Sequence, residues 1–165
     1  MDEGLRLRPY VARLALEWLR EWPQQTHRQL DGTLAFVDVS GFTALTERLA
    51  ARGKAGAEEM GDYLDATFAA LLDIAYEYGA GLVKWGGDAT LLLFKDEDHA
   101  ARAARAAWLM SQAMKRVGKL KTTVGRVTLR VSIGIDTGPI DLFLLGHDHR
   151  ELLVVGPTAS GTARM

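Results

Sequence analysis

A chain of 165 residues with 48% hydrophobic and 25% charged residues has the length and composition of one globular domain with a sizeable core. Its formal net charge of −1 gives no electrostatic basis for binding nucleic acid, and the absence of cysteine excludes a disulfide framework and thiolate metal sites. No apolar run approaches the roughly 20 residues that a membrane helix needs. We therefore expect no membrane partner, and a reducing, cytoplasmic location.

Residues 1–30 are predicted to form an N-terminal amphipathic helix and a lead-in to the domain. Apolar side chains recur at helical spacing between residues 9 and 22, at Tyr10, Leu14, Trp18 and Trp22. Glu17 and Glu21 dilute the basic face of this helix, which argues against a membrane-surface role. We predict that the helix packs on its own domain or on a partner.

Residues 31–165 are predicted to form a single domain of alternating helices and strands. Predicted strands occupy residues 33–39, 82–85, 90–94, 127–135, 140–145 and 151–155. Predicted helices start at Thr43 and occupy residues 55–78 and 98–117. Gly86-Gly87-Asp88 is typical of a hairpin turn between two neighbouring strands. This order of elements predicts an α+β fold in which helices cover one face of a mainly antiparallel sheet.

Two aspartates at predicted strand ends are the candidate metal ligands. Asp38 ends the apolar run Phe36-Val37, and Asp88 lies at the glycine-flanked tip of the predicted hairpin. Two carboxylates at one end of a sheet repel each other unless a cation holds them. Oxygen ligands without Cys or His favour Mg²⁺ or Mn²⁺, bound together with substrate phosphates.

Gly41 and the predicted helix start at Thr43 follow Asp38 closely. Backbone N–H groups at a helix N-terminus attract phosphate, so this turn is a candidate phosphate site. On the residues alone, a structural role is equally consistent: Asp38 or Ser40 could cap the helix, and Gly-Gly-Asp could be only a turn.

The two aspartate segments resemble the metal-binding motifs of class III adenylyl and guanylyl cyclases. FVDVSGFT at residues 36–43 is similar to the first motif of that family, and KWGGD at residues 84–88 to the second. Residues 130–139 resemble the strand and turn that follow, and residues 155–158 the start of the last motif. The resemblance covers about residues 32–165 and implies a ferredoxin-like, palm-like cyclase fold.

The resemblance also implies an activity: formation of cyclic AMP and diphosphate from ATP at a dimer interface, in intracellular signalling. It implies that two Mg²⁺ or Mn²⁺ ions are held by Asp38, the Val39 carbonyl and Asp88. Arg164 is the implied catalytic residue that stabilises the transition state. The implied substrate-binding residues are Ser40, Gly41, Phe42, Thr43, Lys84 and Gly87.

Two positions depart from the family pattern. The partner of Lys84 in reading the base falls at the apolar Leu153, and the asparagine that orients the ribose is replaced by Ser160. The chain thus resembles the first catalytic half of soluble, bicarbonate-responsive adenylyl cyclases, which depends on a different second half. We expect a homodimer or pairing with a second cyclase half, and weak or no activity from this chain alone.

Two alternative functions stay open. The hairpin is also similar to that of diguanylate cyclases, although Ala89 and Thr90 stand where that family has an acid and an aromatic residue. A non-catalytic regulatory or nucleotide-binding module with a cyclase fold would explain Leu153 and Ser160, but the intact metal motifs argue against it.

The remaining charged residues are interpreted as surface. His147-Asp148-His149 lies in a charged loop, where such residues are more often solvated than metal-bound. A set of basic residues is interpreted as a solvated helix face and loop: Arg102, Arg105, Lys115, Arg116, Lys119 and Lys121.

Overall fold

The computed structural model describes residues 13–146 and 150–163. The helices are α1 (Arg13–Glu21), α2 (Phe42–Ala50), α3 (Lys54–Glu77), α4 (His99–Val117) and α5 (Pro157–Thr162). The strands are β1 (His27–Ser40), β2 (Ala80–Gly86), β3 (Ala89–Phe94), β4 (Lys119–Thr122), β5 (Gly125–Thr128), β6 (Arg130–Leu145) and β7 (Glu151–Val155). In this part of the chain, no helix combines the length and apolarity required to cross a membrane.

Five strands form one antiparallel sheet in the order β2-β3-β1-β6-β7, and β4 and β5 form a separate hairpin. The predicted α+β class with a mainly antiparallel sheet is confirmed. The prediction of separate strands at 127–135 and 140–145 was wrong, because β6 runs unbroken through Pro139. Pairing with β7 covers only residues 141–145, so Pro139 lies where β6 has one strand neighbour and its missing N–H is tolerated.

Alternation along β1 divides the core into two apolar clusters, one on each face of the sheet. Ala35, Val37 and Val39 are fully buried on the face that α2, α3 and α4 cover. Leu34 points to the other face, because successive side chains of a strand alternate. The prediction of helices on one face is confirmed for these three helices, whereas α1 packs on the opposite face.

Helix α1 is attached to the sheet by both apolar and polar contacts. Trp18 is buried, and its indole N–H donates to the Gln25 carbonyl at 2.8 Å. Glu17 forms an ion pair with Lys95 at 3.0 Å. Helix α1 therefore packs on its own domain, one of the two alternatives predicted, while Tyr10 lies outside the described residues. A domain boundary at residue 31 stays a prediction.

Helix α3 is joined to the β4–β5 hairpin by hydrogen bonds. The Thr123 hydroxyl and its backbone N–H both donate to the Glu59 carboxylate, which lowers the pKa of that carboxyl. The Tyr63 hydroxyl donates to the Lys121 carbonyl at 2.6 Å. Burial, with the nearby charge of Glu59, raises the pKa of Tyr63.

Helix α4 ends at a glycine because the chain passes very close to the start of β6. The Leu129 N–H donates to the Gly118 carbonyl at 2.8 Å. A Cβ at Gly118 would lie 2.7 Å from the carbonyl oxygens of Leu129 and Met114. The φ of −73° suits any residue, so it is this close approach that requires glycine.

We expect Gly118→Ala to lower the free energy of unfolding by about 1–3 kcal/mol, because the added methyl group would collide with the carbonyl oxygens of Leu129 and Met114. Gly61→Ala is the matched control: no atom lies within 4 Å of its Cβ position, and alanine favours a helix interior by about 1 kcal/mol. Urea unfolding of both variants measures the difference. Equal stability of the two would contradict the close approach.

Candidate active site

The pairing of β1 with β3 brings Asp38 and Asp88 to the same end of the sheet. Asp38 lies directly opposite Ala89, the residue that follows Asp88. The Val39 N–H donates to the Asp88 carbonyl at 3.0 Å, so a backbone hydrogen bond joins Asp88 to the residue that follows Asp38. The structure therefore places together the two aspartates that the sequence singled out.

The Asp38 side chain lies on the sheet face opposite α2, α3 and α4. Its neighbours Val37 and Val39 are fully buried under those helices, whereas Asp38 is half-buried on the other face. Among the described residues, neither the Asp38 nor the Asp88 carboxylate has a hydrogen-bond or ion-pair partner. Their oxygens are thus available to a cation.

The two carboxylates fit a hard divalent cation whose remaining ligands come from water and the substrate. Within residues 13–146 and 150–163, no three His, Cys, Asp or Glu side chains converge on one point. Mg²⁺ is commonly held by one or two carboxylates, with water and substrate phosphates completing the octahedron. Asp38 and Asp88 match that pattern, and their role as metal ligands stays a prediction.

The turn from β1 into α2 can be made only by glycine. Gly41 has φ of +105°, and a Cβ there would lie 3.2 Å from Leu129 Cδ2 and 3.3 Å from the Thr128 carbonyl. The first helical hydrogen bond runs from the Leu45 N–H to the Gly41 carbonyl at 3.2 Å. The N–H groups of the first turn of α2 therefore have no helical acceptor and are free to bind an anion.

The side chains around this turn differ in what they can contact. Ser40 and Thr43 are exposed beside the start of α2. Phe42 is 3% exposed and stacks on Phe68 with ring centroids 6.0 Å apart. Of the predicted substrate-binding residues, Phe42 can therefore offer a ligand only its backbone. Gly87, at φ of +71°, lies in the exposed tip of the β2–β3 hairpin.

Lys84 forms an ion pair with Glu151, a residue that the sequence motifs did not single out. These residues belong to β2 and β7, the two edge strands, so the sheet curls until its edges meet. Leu153, the predicted partner position, is 42% exposed. Glu151 lies two residues before Leu153 and thus on the same face of β7, so strand alternation could have identified it.

Ser160 is held on a different part of the chain from the two aspartates. The Thr158 hydroxyl donates to the Pro139 carbonyl at 2.9 Å, and a Cβ at Gly161 would overlap Asp136 Oδ2 at 1.8 Å. Asp136 lies four residues along β6 from Ser132, the partner of Asp38, which is roughly 13 Å of strand. Ser160 therefore does not meet Asp38 within one chain, and Arg164 lies outside the described residues.

Comparison with known proteins agrees with this geometry. The sequence model of the adenylate and guanylate cyclase catalytic domain family matches residues 24–165. Adenylate cyclase type 10 of Rattus norvegicus is 32% identical over 130 residues, which are 76% of this chain. This chain spans only 8% of the length of that protein.

Two solved structures have the same fold. The catalytic core of a rhodopsin-guanylyl cyclase with converted specificity, in complex with ATPαS, is 26% identical with a TM-score of 0.67, and the match covers 84% of this chain and 73% of that one. A non-canonical dimeric guanylyl cyclase domain from Blastocladiella emersonii is 26% identical with a TM-score of 0.68, over 86% of this chain and 76% of that one.

We expect Gly41→Ala to destabilise the protein more than Gly87→Ala. Both glycines have positive φ, so both substitutions introduce backbone strain of about 1–3 kcal/mol. Only at Gly41 does the new methyl also meet Leu129 and Thr128, because nothing lies within 4 Å at Gly87. Urea unfolding gives the two losses, and equal values would show that packing against Leu129 does not constrain the turn.

Proposed function

The chain belongs to the adenylate and guanylate cyclase catalytic domain family, and on that premise we propose that it forms cyclic AMP and diphosphate from ATP. The observation that carries the proposal is the pair Asp38 and Asp88 beside the open first turn of α2. Similarity to an adenylate cyclase type 10 supports ATP as the substrate. Cytoplasmic location and a role in intracellular signalling belong to the same proposal.

Asp38, Asp88 and the Val39 carbonyl would hold two Mg²⁺ or Mn²⁺ ions. When bound, such ions activate the ribose 3′-hydroxyl and neutralise the triphosphate. The N–H groups of the first turn of α2 donate to phosphate oxygens, and the exposed Ser40 and Thr43 hydroxyls can donate to the same oxygens.

In this arrangement the protein orients the substrate for an in-line displacement. The 3′-oxygen attacks the α-phosphorus and loses its proton, a new P–O bond closes the ring, and the bond to the β-phosphate breaks to release diphosphate. Holding the reacting atoms in line and neutralising the developing charge are the two contributions that binding groups can make to this step.

We expect Asp38→Asn to abolish Mn²⁺-dependent binding of a non-hydrolysable ATP analogue, because one of two metal-binding carboxylates is lost. Asp62→Asn is the matched control, since Asp62 is exposed on α3. Isothermal titration with and without Mn²⁺ measures both variants. Unchanged affinity in Asp38→Asn, with Asp62→Asn behaving as wild type, would remove the metal site from the proposal.

We further propose that the site is completed by a second copy of this domain or by a second cyclase half. In one chain, α5 with Ser160 is anchored beside Asp136 rather than beside Asp38. Three apolar side chains that an interface would cover are 37–43% exposed: Trp85, Leu153 and Val155. The relative from Blastocladiella emersonii, described as a non-canonical dimer, supports pairing of two such domains.

In the completed site, we propose that Lys84 and Glu151 contact the base. Leu153 cannot accept a hydrogen bond from the amino group of adenine, whereas the Glu151 carboxylate can. The pair is accessible to a ligand, since its side chains are 54% and 58% exposed. A surface ion pair of this kind stabilises the fold by less than about 1 kcal/mol, so substitution should affect ligand choice more than folding.

We expect Glu151→Gln to reduce the preference for ATP over GTP analogues by at least several-fold, with little change in the free energy of unfolding. Glu58→Gln is the matched control, because Glu58 also forms an exposed ion pair, with Lys54 at 3.6 Å on α3. Competition titrations in Mn²⁺ give the ratio of affinities. An unaltered ratio would show that Glu151 does not contact the base.

We expect this chain alone to form cyclic AMP weakly or not at all. Ser160 has a shorter reach than asparagine and lacks its amide, and with Leu153 at the family's acceptor position the base contact depends on Glu151, two residues away. Leu153→Asp combined with Ser160→Asn should raise cyclic AMP formation in Mn²⁺, and adding Asp38→Asn should remove the gain. Wild-type turnover on the order of 10 s⁻¹ would show that these two positions do not limit the reaction.

The alternative is a non-catalytic module that binds nucleotide and regulates a partner. The exposed apolar Leu153 is the observation that favours it. Mn²⁺-dependent ATP binding, with no cyclic nucleotide formed by the chain or by its complex with a second cyclase half, would select this function over the enzyme.

A further inference from the structure

A groove lined by basic residues lies between α4, β4 and the start of β6. Lys115, Lys119 and Arg130 surround a groove of about 530 Å³, which we call the cationic groove. Met114, Leu129 and Val131 supply its apolar lining. None of the described residues that line the groove is acidic.

Lys115, Lys119 and Arg130 line one groove because the backbone beneath them is held closely. Lys115 lies in the last turn of α4, Lys119 begins β4 and Arg130 begins β6. The hydrogen bond from the Leu129 N–H to the Gly118 carbonyl, at 2.8 Å, joins these segments. The groove is therefore part of the packed fold, and its charged residues come from three different elements.

The positive charge in the groove is not balanced by neighbouring side chains. Among the described residues, Lys119 and Arg130 form no ion pair, and Lys115 only donates to the neutral Gln112 amide at 3.0 Å. The C-terminal end of α4 favours a cation and accounts for Lys115. It does not account for Lys119 and Arg130, which lie on strands. Like charges around one groove repel each other, and an anion would remove that repulsion.

The lining also defines the kind of anion. Met114 and Leu129 are buried beneath the groove, and the half-buried Val131 is the apolar lining side chain that a ligand with an apolar body can contact. Arginine binds phosphate through two parallel hydrogen bonds, and lysine acts as a compact point charge. A phosphate monoester carries between one and two negative charges at neutral pH, with several strong acceptor oxygens, and so can engage more than one cation.

We propose that the cationic groove binds a small phosphate monoester with an apolar body, at a site separate from Asp38 and Asp88. The basic residues of α4 and β4 are then in part a binding site, rather than only the solvated surface that their sequence suggested. Arg130 lies opposite Ser40 in the sheet, close to the candidate active site. The test therefore substitutes only Lys115 and Lys119, and the titration is done without metal ions.

The experiment titrates the full chain with 1-naphthyl phosphate in EDTA. The test variant is Lys115→Gln with Lys119→Gln. The control, Lys121→Gln with Arg126→Gln, removes the same charge from the β4–β5 hairpin, outside the groove. We expect the test variant to bind at least about tenfold more weakly, a loss of roughly 1.4 kcal/mol, and the control to bind within about twofold of wild type.

Four further measurements distinguish binding in the cationic groove from binding at the candidate active site or at a lipid surface. In wild-type protein, the amide NMR signals of Gly118 and Leu129 should shift during the titration, and Asp38→Asn should leave the affinity unchanged. Neutral 1-naphthol should not bind. Equal weakening in both double variants, or absence of binding by wild type, would overturn the proposal. So would binding only to phosphatidylcholine vesicles that contain phosphatidic acid, because the site would then be a lipid-surface contact.

Discussion

The antiparallel register between β1 and β3 holds Asp38 opposite Ala89 and joins Val39 to Asp88 through one backbone hydrogen bond. A slip of one residue would turn Asp38 into the core that Val37 and Val39 now fill. Burial of those valines under the helices therefore fixes the register, and the register fixes the position of the acid. The apolar core and the candidate metal site are two consequences of the same pairing.

Close backbone contacts at three glycines fix the positions of the helices relative to the sheet. Gly41 lets α2 start directly behind Asp38 and against Leu129, and Gly118 brings the end of α4 to the same Leu129. Gly161 allows α5 to approach Asp136 in the middle of β6. In each case the glycine is required where two segments would otherwise collide, so helices on both faces of the sheet are placed relative to β6.

The curl of the sheet explains how one chain can carry two separated parts of a site. The edge strands approach until Lys84 and Glu151 form an ion pair, while Asp38 and Asp88 lie at the end of the central strands. Because α5 is anchored along β6 beside Asp136, Ser160 does not meet Asp38 in one chain. The proposal that a second domain completes the site is based on this separation.

The sequence by itself determined the class of fold, the central strand, the hairpin and the family. Each of these depends on local signals: alternation around Phe36 and Val37, the Gly86-Gly87 turn, and two motifs with the right residues in the right order. It also identified Leu153 and Ser160 as departures from the family pattern. These features can be predicted without a structure because each depends on residues that are neighbours in the sequence.

Only the tertiary structure decided which distant residues meet. Strand alternation places Glu151 on the same face as Leu153, but only the curl of the sheet brings its carboxylate to Lys84. Pro139 remains inside a strand because β7 pairs only beyond it, although proline on its own suggested a break. Lys115, Lys119 and Arg130 line one groove because Gly118 and Leu129 are in contact. These outcomes depend on strand register and close packing between segments far apart in sequence, and that information belongs to the folded chain as a whole.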